Sequence, residues 1–242
     1  MGTPARFTNG IGTAVKGTLM GNFPLPDPLH TSSTPTKDVY LYAADYNDLG
    51  AAASRTITGA GTTLAPIDGL GGRAILTPGG AAVVSTVART AAAFQFIAGY
   101  EFWYQTRFQL SGVGAGVITR TGIQHGSGAN TTNDGLYFTK VTGAGGGVNL
   151  VSQVNTVVTT LVSNVVASTT AATDIDVGFY FDGTDLLVYA GDSLVARVAA
   201  PTIGATGTTL SNALMQPFYQ ITPVATETYN IDYELCACEF TR

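Results

Sequence analysis

The sequence predicts an all-β protein, an antiparallel β-sandwich, and three observations carry that prediction. Short runs rich in Val, Ile, Thr, Tyr and Phe recur with period two, separated by Gly, Asp and Asn turns roughly every 8–12 residues. Helical periodicity is almost missing; its one candidate is a short turn over residues 47–54 (NDLGAAAS), which Gly50 weakens. The length of 242 residues suits a single sandwich with a sizeable core.

Taken in order, residues 1–37 hold no sustained period and are broken by Gly10, Gly12, Gly17, Gly21 and the prolines of FPLPDP (23–28). Proline removes a ladder donor and pushes its predecessor into extended geometry, so this segment is expected to be an extended N-terminal arm. It carries Phe7, Ile11, Val15, Leu19, Phe23, Leu25 and Leu29, too many apolar side chains for a segment left in water. The sandwich is expected over 38–242. DVYLYAADY (38–46) opens it, and TGAGTT (58–63) reads as a hairpin tip. GRAILTP (72–78), AAVVSTVA (81–88), a long run at 94–112, GVITRTGIQ (116–124) and DGLYFTKV (134–141) follow as strands. GAGGG (143–147) is a second tip, and VNLVSQVN (148–155), TVVTTLVSNVV (156–166), LMQPFYQITPV (214–224) and YNIDYELCACEF (229–240) are further strands.

The clearest segment is VGFYFDGTDLLVYAGDSLVARV (177–198), a three-strand meander. Asp182-Gly183 and Gly191-Asp192 supply the positive φ angles that tight hairpins need. In FWYQTRFQL (102–110), Phe102, Tyr104, Thr106 and Phe108 share the core side, with Trp103, Gln105, Arg107 and Gln109 facing out or into an interface. The same alternation applied to the last strand puts Tyr229, Ile231, Tyr233, Leu235 and Ala237 on one face and Asn230, Asp232 and Glu234 on the other.

Charged residues are only 11% of the chain, against about 25% in ordinary soluble proteins, and the net charge is −5. A surface covered by Thr, Ser, Asn, Gln, Gly and Ala repels neighbouring subunits little, and homo-oligomers are expected. The 11 basic residues are scattered, which argues against nucleic acid as a partner. No long apolar run free of turn residues indicates a membrane span, and the N-terminus lacks a secretory pattern, so folding in a cytoplasm is expected.

The search for chemistry finds little. The two cysteines, Cys236 and Cys238, sit two apart on a strand, awkward for a bridge, and read as reduced and semi-buried. With His30 and His125 distant in sequence, no zinc ligand set forms, and no metal or cofactor is expected. Asp182 with Asp185, or Asn130, Asn133 and Asp134, could offer calcium hard oxygens, but these residues are also ordinary turn formers. Two-carboxylate glycoside hydrolysis has its nearest candidates in Asp174 with Asp176 and Asp232 with Glu234, read as solvent-facing strand residues. His125 in GIQHGSG has Ser127 nearby but no nucleophile elbow. The chain is therefore expected not to be an enzyme. Among exposed aromatics that could stack on a sugar or line an interface, Trp103 stands out.

The meander resembles the central hairpins of concanavalin A-like (laminin-G-like) jelly rolls. RFTNGIGTAVKG (6–17), FPLPDP, FWYQTRFQL, DGLYF, GFYFDGTD and IDYEL, in that order, resemble a family of tailed-bacteriophage virion proteins that act as capsid decoration, or cement, proteins. The resemblance implies a protein on the exterior of a phage head, assembled in the host cytoplasm. There it would bind the major capsid protein and other copies of itself, as dimer or trimer, and reinforce contacts between capsid subunits. The arm residues Phe7, Ile11, Val15, Leu19, Phe23, Leu25 and Leu29 would then make the capsid or subunit contacts. The alternative is a lectin-like virion protein that binds carbohydrate for attachment to the host surface.

Overall fold

A computed structural model describes residues 38–45, 55–67, 73–130 and 132–240. The predicted arm over 1–37, all seven of its apolar contact residues, and the turn predicted over 47–54 lie outside the described residues. The described chain contains no α-helix. Its strands are β1 (Asp38–Asp45), β2 (Arg55–Thr58), β3 (Thr63–Ile67), β4 (Arg73–Thr77), β5 (Ser85–Arg89), β6 (Phe102–Leu110), β7 (Ile118–Gln124), β8 (Gly135–Lys140) and β9 (Gly146–Val154). They continue as β10 (Val157–Ser168), β11 (Ile175–Phe181), β12 (Leu186–Ala190), β13 (Ser193–Val198), β14 (Ile203–Gly204), β15 (Leu210–Ser211), β16 (Gln216–Thr222) and β17 (Tyr229–Phe240).

Two sheets face each other. One has eight strands in the order β13-β12-β11-β6-β17-β4-β3, with β1 also on β17; the other has seven, β10-β9-β8-β7-β16-β5-β2. Adjacent strands in both sheets pair antiparallel, for example Phe179 with Tyr104 and Phe218 with Gly122, while β14 and β15 form a small parallel pair. The predicted antiparallel sandwich is the fold observed.

The core is aromatic and lies between the sheets. Phe102, Tyr104 and Phe108 of β6 point into it as the alternation predicts. Phe179 of β11 stacks on Phe102 at 5.9 Å and on Tyr104 at 5.3 Å between ring centroids, and meets Phe138 of the opposite sheet at 6.1 Å. The meander also forms as predicted: β11 pairs with β12 and β12 with β13. Gly183 turns the first hairpin at φ 91°, and the Asp182 carboxylate accepts from the backbone N–H groups of Thr184 and Asp185 at 2.8 and 2.7 Å.

Four sequence-based expectations are corrected. TGAGTT is not a hairpin tip, because β2 pairs with β5 in one sheet and β3 with β4 in the other; the turn carries the chain across the sandwich. The strand expected over 81–88 starts only at Ser85, since Ala82 takes a left-handed φ of 60° and its N–H bonds Pro223 O at 2.9 Å. The long run at 94–112 becomes strand only from Phe102; Phe94 makes an isolated bridge to Met215 instead.

The fourth correction bears on function. The ladder between β17 and β6 shifts register between Ile231 and Tyr233, a β-bulge that flips the alternation of everything after it. Tyr229 and Ile231 face the core, but beyond the bulge Glu234, Cys236 and Cys238 are the buried inward residues while Tyr233 and Leu235 face outward. Asp232 and Glu234 therefore do not share a solvent face: Glu234 is inside, accepting a hydrogen bond from Tyr104 Oη at 3.0 Å. Tyr104 in turn bonds Thr121 of the opposite sheet at 2.9 Å, a polar tie across an otherwise apolar core. Both cysteines are free thiols, and burial pushes them up, Cys236 well above the usual range and Cys238 to about 11.

Candidate functional site

The bulge on β17 builds a polar site on the outer face of the eight-stranded sheet. Because β6 lies between β11 and β17, its outward residues head three rows that run across the strands. Asp176, Arg107 and Tyr233 form one row; Gly178, Gln105 and Leu235 form the next; Tyr180, Trp103 and Ala237 form the third. A row needs all three side chains on one face, and it is the bulge that brings Tyr233 and Leu235 into step with Arg107 and Gln105.

Asp176 is the hub of the first two rows. Its Oδ1 accepts from Gln105 Nε2 at 3.0 Å, and its Oδ2 accepts from Tyr233 Oη at 3.0 Å and from Arg107 Nη2 at 3.4 Å. Arg107 Nη1 reaches Asp232 Oδ2 at 3.5 Å, and the guanidinium lies over the Tyr233 ring at 5.3 Å. The β12–β13 turn closes the end of the site, with Gly191 N–H donating to Asp176 O at 2.8 Å and Asp192 on the rim. These groups line a cavity of about 310 Å³, at the lower bound for small-molecule pockets.

The electrostatics follow from the contacts. Burial lowers the Arg107 guanidinium, but Tyr233, Asp176 and Asp232 outweigh it and hold the pKa above its ordinary value. Burial and the neighbouring Asp176 carboxylate push the Tyr233 phenol up, so it remains a donor to Asp176 at neutral pH. Gln105 is 4% exposed, and its Oε1 has no partner although its Nε2 is bound. Asp192 is exposed and makes no side-chain hydrogen bond or ion pair among the described residues. A pocket that presents the half-exposed Arg107 guanidinium beside the free Asp192 carboxylate is suited to holding a polar ligand. It is poorly suited to acid–base chemistry, because both inner carboxylates share one arginine.

Other residues singled out by the sequence sit apart from this site. Trp103 is not an exposed aromatic: it is 1% exposed, stacked on Tyr180 at 5.1 Å and packed with Leu41, Leu235 and Ala237, which leaves a sugar no ring face. Asp174 pairs with Arg73 at 3.0 Å rather than joining Asp176. Asp182 caps its own turn. Asp185 accepts from Ala200 N–H at 2.9 Å and from the Arg197 guanidinium, which together hold its carboxyl below the usual range. Asp134 accepts from Asn155 N–H at 2.7 Å and from Ser211 Oγ at 2.6 Å, clamping two turns. His125 meets Leu214 O through Nδ1 at 2.9 Å. No group of three or more His, Cys, Asp or Glu among the described residues is placed to hold a metal ion. The sequence reading missed Gln105, Arg107, Tyr233 and Asp192 as a set. The available signal was the outward Gln-x-Arg of the aromatic strand, which alternation had already placed opposite its core face.

The strands of the seven-stranded sheet contain no Asp or Glu.

No protein-family model matches the chain, and no curated protein matches its sequence. Solved structures do match in fold. A native glycosidic hydrolase aligns at TM-score 0.57 and 11% identity, over 83% of this chain and 95% of its own. Bacillus licheniformis β-glucanase aligns at TM-score 0.54 and 9% identity, over 84% and 98%. The carbohydrate recognition domain of Emp46p, in its metal-free form, aligns at 0.53 and 10%, over 76% and 88%. At these identities the likeness establishes the fold, a jelly-roll β-sandwich of the glucanase and lectin type.

Proposed function

We propose that this protein is a non-catalytic jelly-roll binding module whose ligand is a saccharide held in the Asp176 pocket. The observation that carries the reading is the row geometry: a fixed carboxylate, an amide and a tyrosine around a monosaccharide-sized cavity, with the exposed Arg107 guanidinium and the free Asp192 carboxylate at its edge. Neighbours named for glycoside hydrolysis and carbohydrate recognition lend support through the shared fold. The carboxylate-free strands of the seven-stranded sheet, and the Arg107 that ties Asp176 to Asp232, favour binding over hydrolysis. On a glycan array followed by NMR titration, the wild type is expected to bind a defined set of sugars, and Asp176→Ala to weaken that binding at least about tenfold while retaining its β-sheet circular dichroism. An array blank at high protein concentration, or Asp176→Ala binding as well as the wild type, overturns the reading.

A second reading is an outer structural protein of a phage head, touching the major capsid protein and other copies of itself. The sequence resemblance supports it, and so does one feature of the fold. No Asp, Glu, Lys, Arg or His occurs between Lys140 and Asp174, and this stretch includes β10, an edge strand of twelve residues with Val157 65% exposed and Val158 57% exposed. Edge strands left open to water usually carry charge or proline, and one without either is suited to burial against a neighbour. Mass spectrometry of purified virions is expected to find the protein. Deleting residues 2–30 is expected to lower its occupancy on heads and the heat stability of the particles. Absence from purified heads disposes of this reading, and unchanged occupancy and stability dispose of the arm's part in it.

A further inference from the structure

We infer that residues 23–29, FPLPDPL, lie as an extended strap across the outer face of the eight-stranded sheet of their own chain, over the row that contains Trp103. That row runs from Leu41 of β1 through Ala237, Trp103 and Tyr180 to Leu187 of β12. An outer sheet face open to water alternates polar side chains with its core residues. This row is apolar and aromatic from end to end, and Trp103 is 1% and Ala237 0% exposed. The described residues packed on that pair, Leu41, Tyr180 and Leu235, all belong to the same face of the same sheet. Neighbours level with a ring cover its sides and not its top, so an outward tryptophan reaches this burial only with further chain laid over it.

Where the chain enters the sheet decides which segment this is. Residues 46–54 leave β1 at Asp45, level with Tyr233 rather than Trp103, and are spent in reaching β2 of the other sheet, about 10 Å away. Residues 68–72 join β3 to β4, which pairs with β17 only over Tyr229–Ile231, at the end opposite Ala237. The N-terminal arm instead enters at Asp38, one turn of the pleat from Leu41, at the row's own end of β1. Within the arm, Phe23, Leu25 and Asp27 each precede a proline, which holds them extended. Seven residues of polyproline II measure about 22 Å, and the strand spacings from β1 to β12 through β17, β6 and β11 add to about 19 Å, so strap and row match in length. Prolines also leave the strap rich in carbonyls and poor in donors, and Trp103 Nε1 is a buried donor with no partner among the described residues. Aromatic rows commonly hold proline-rich segments in this way. The row stands about 13 Å along β6 from Arg107, so the strap leaves the Asp176 pocket open.

Trp103 is the single tryptophan of the chain and reports on its own cover. Acrylamide is expected to quench the full chain weakly. Deleting residues 2–30 is expected to shift the emission to the red and raise the quenching constant at least about threefold, the change from a ring sealed in packing to one in water, with the β-sheet circular dichroism retained. The full chain carrying Phe23→Asp and Leu25→Asp together is expected to show the same shift, and it reads the strap even where the deletion fails to fold. Phe7→Asp, outside the strap, is expected to leave the emission unchanged. Unchanged emission and quenching in the folded deletion protein or in the double variant overturn the proposal, and so does a Phe7→Asp shift as large as that of the double variant. Red-shifted emission on diluting the unaltered chain overturns the assignment to its own arm in favour of a second copy's.

Discussion

Phe179→Ala is expected to cost about 3–5 kcal/mol of stability and to lower the melting temperature by on the order of 10 °C for a chain of this size. Phe179 is fully buried and is the ring on which the others converge. It stacks on Phe102 and Tyr104 of the neighbouring strand, meets Phe96 at 6.2 Å and reaches Phe138 of the opposite sheet. Truncation removes contacts in both layers at once, and two hydrogen-bonded sheets cannot collapse into the cavity without breaking their ladders. Urea unfolding monitored by tryptophan fluorescence measures the change. A loss below about 1 kcal/mol, the range of a volume-conserving swap, would mean that the sheets do not meet through this ring.

Alkaline pH is expected to unfold the protein cooperatively, with ionisation of the buried tyrosines delayed until unfolding begins. Burial pushes the Tyr104 and Tyr229 phenols well above their ordinary value of 10.0, with the buried Glu234 carboxylate adding to the effect. Tyr42, Tyr180 and Tyr233 are raised chiefly by the same burial, and Cys238 stands at about 11. These groups are neutral when protonated, so a raised folded pKa means that the unfolded chain loses its protons first. Above the unfolded values, about 8.5 for Cys and 10 for Tyr, the unfolded state binds fewer protons and stability falls as pH rises. Each such group contributes a slope of up to about 1.4 kcal/mol per pH unit. Their stabilising contribution is complete below about pH 8 and is lost progressively above pH 9–10. Absorbance at 295 nm should therefore rise together with the loss of near-ultraviolet circular dichroism. A smooth titration of all 11 tyrosines near pH 10 in a still-folded protein would contradict the buried placement of these rings.

Both expectations depend on details that the sequence shows unevenly. The alternation of FWYQTRFQL announces its core face, and Asp-Gly with Gly-Asp announces the two turns of the meander; these positions are as expected in the fold. Asn155 and Thr156 are less obvious, yet both take left-handed φ angles, 47° and 69°, in the turn that joins β9 to β10. The candidate site was half visible: Gln105 and Arg107 were read as outward, and Asp176 as a strand carboxylate. Nothing local tied them to Tyr233, because strict alternation put that residue on the wrong face.

The sequence by itself determined the class of fold, most of the strands, the aromatic core of β6 and β11, and the turns of the meander. Each of these depends on period-two patterning or on φ preferences within a few residues. The tertiary structure decided which sheet each strand joins, so that β2 and β3 part across the sandwich, and where the ladder of β17 slips against β6. It also decided that Trp103 is covered and that Gln105 turns its amide nitrogen to Asp176. Register and bulges are settled by the hydrogen bonds and packing of a partner strand more than a hundred residues away, where a one-residue slip exchanges the buried face for the exposed one. The bulge that sends Glu234 into the core and Tyr233 to the surface is such a slip, and the Asp176 pocket exists because of it.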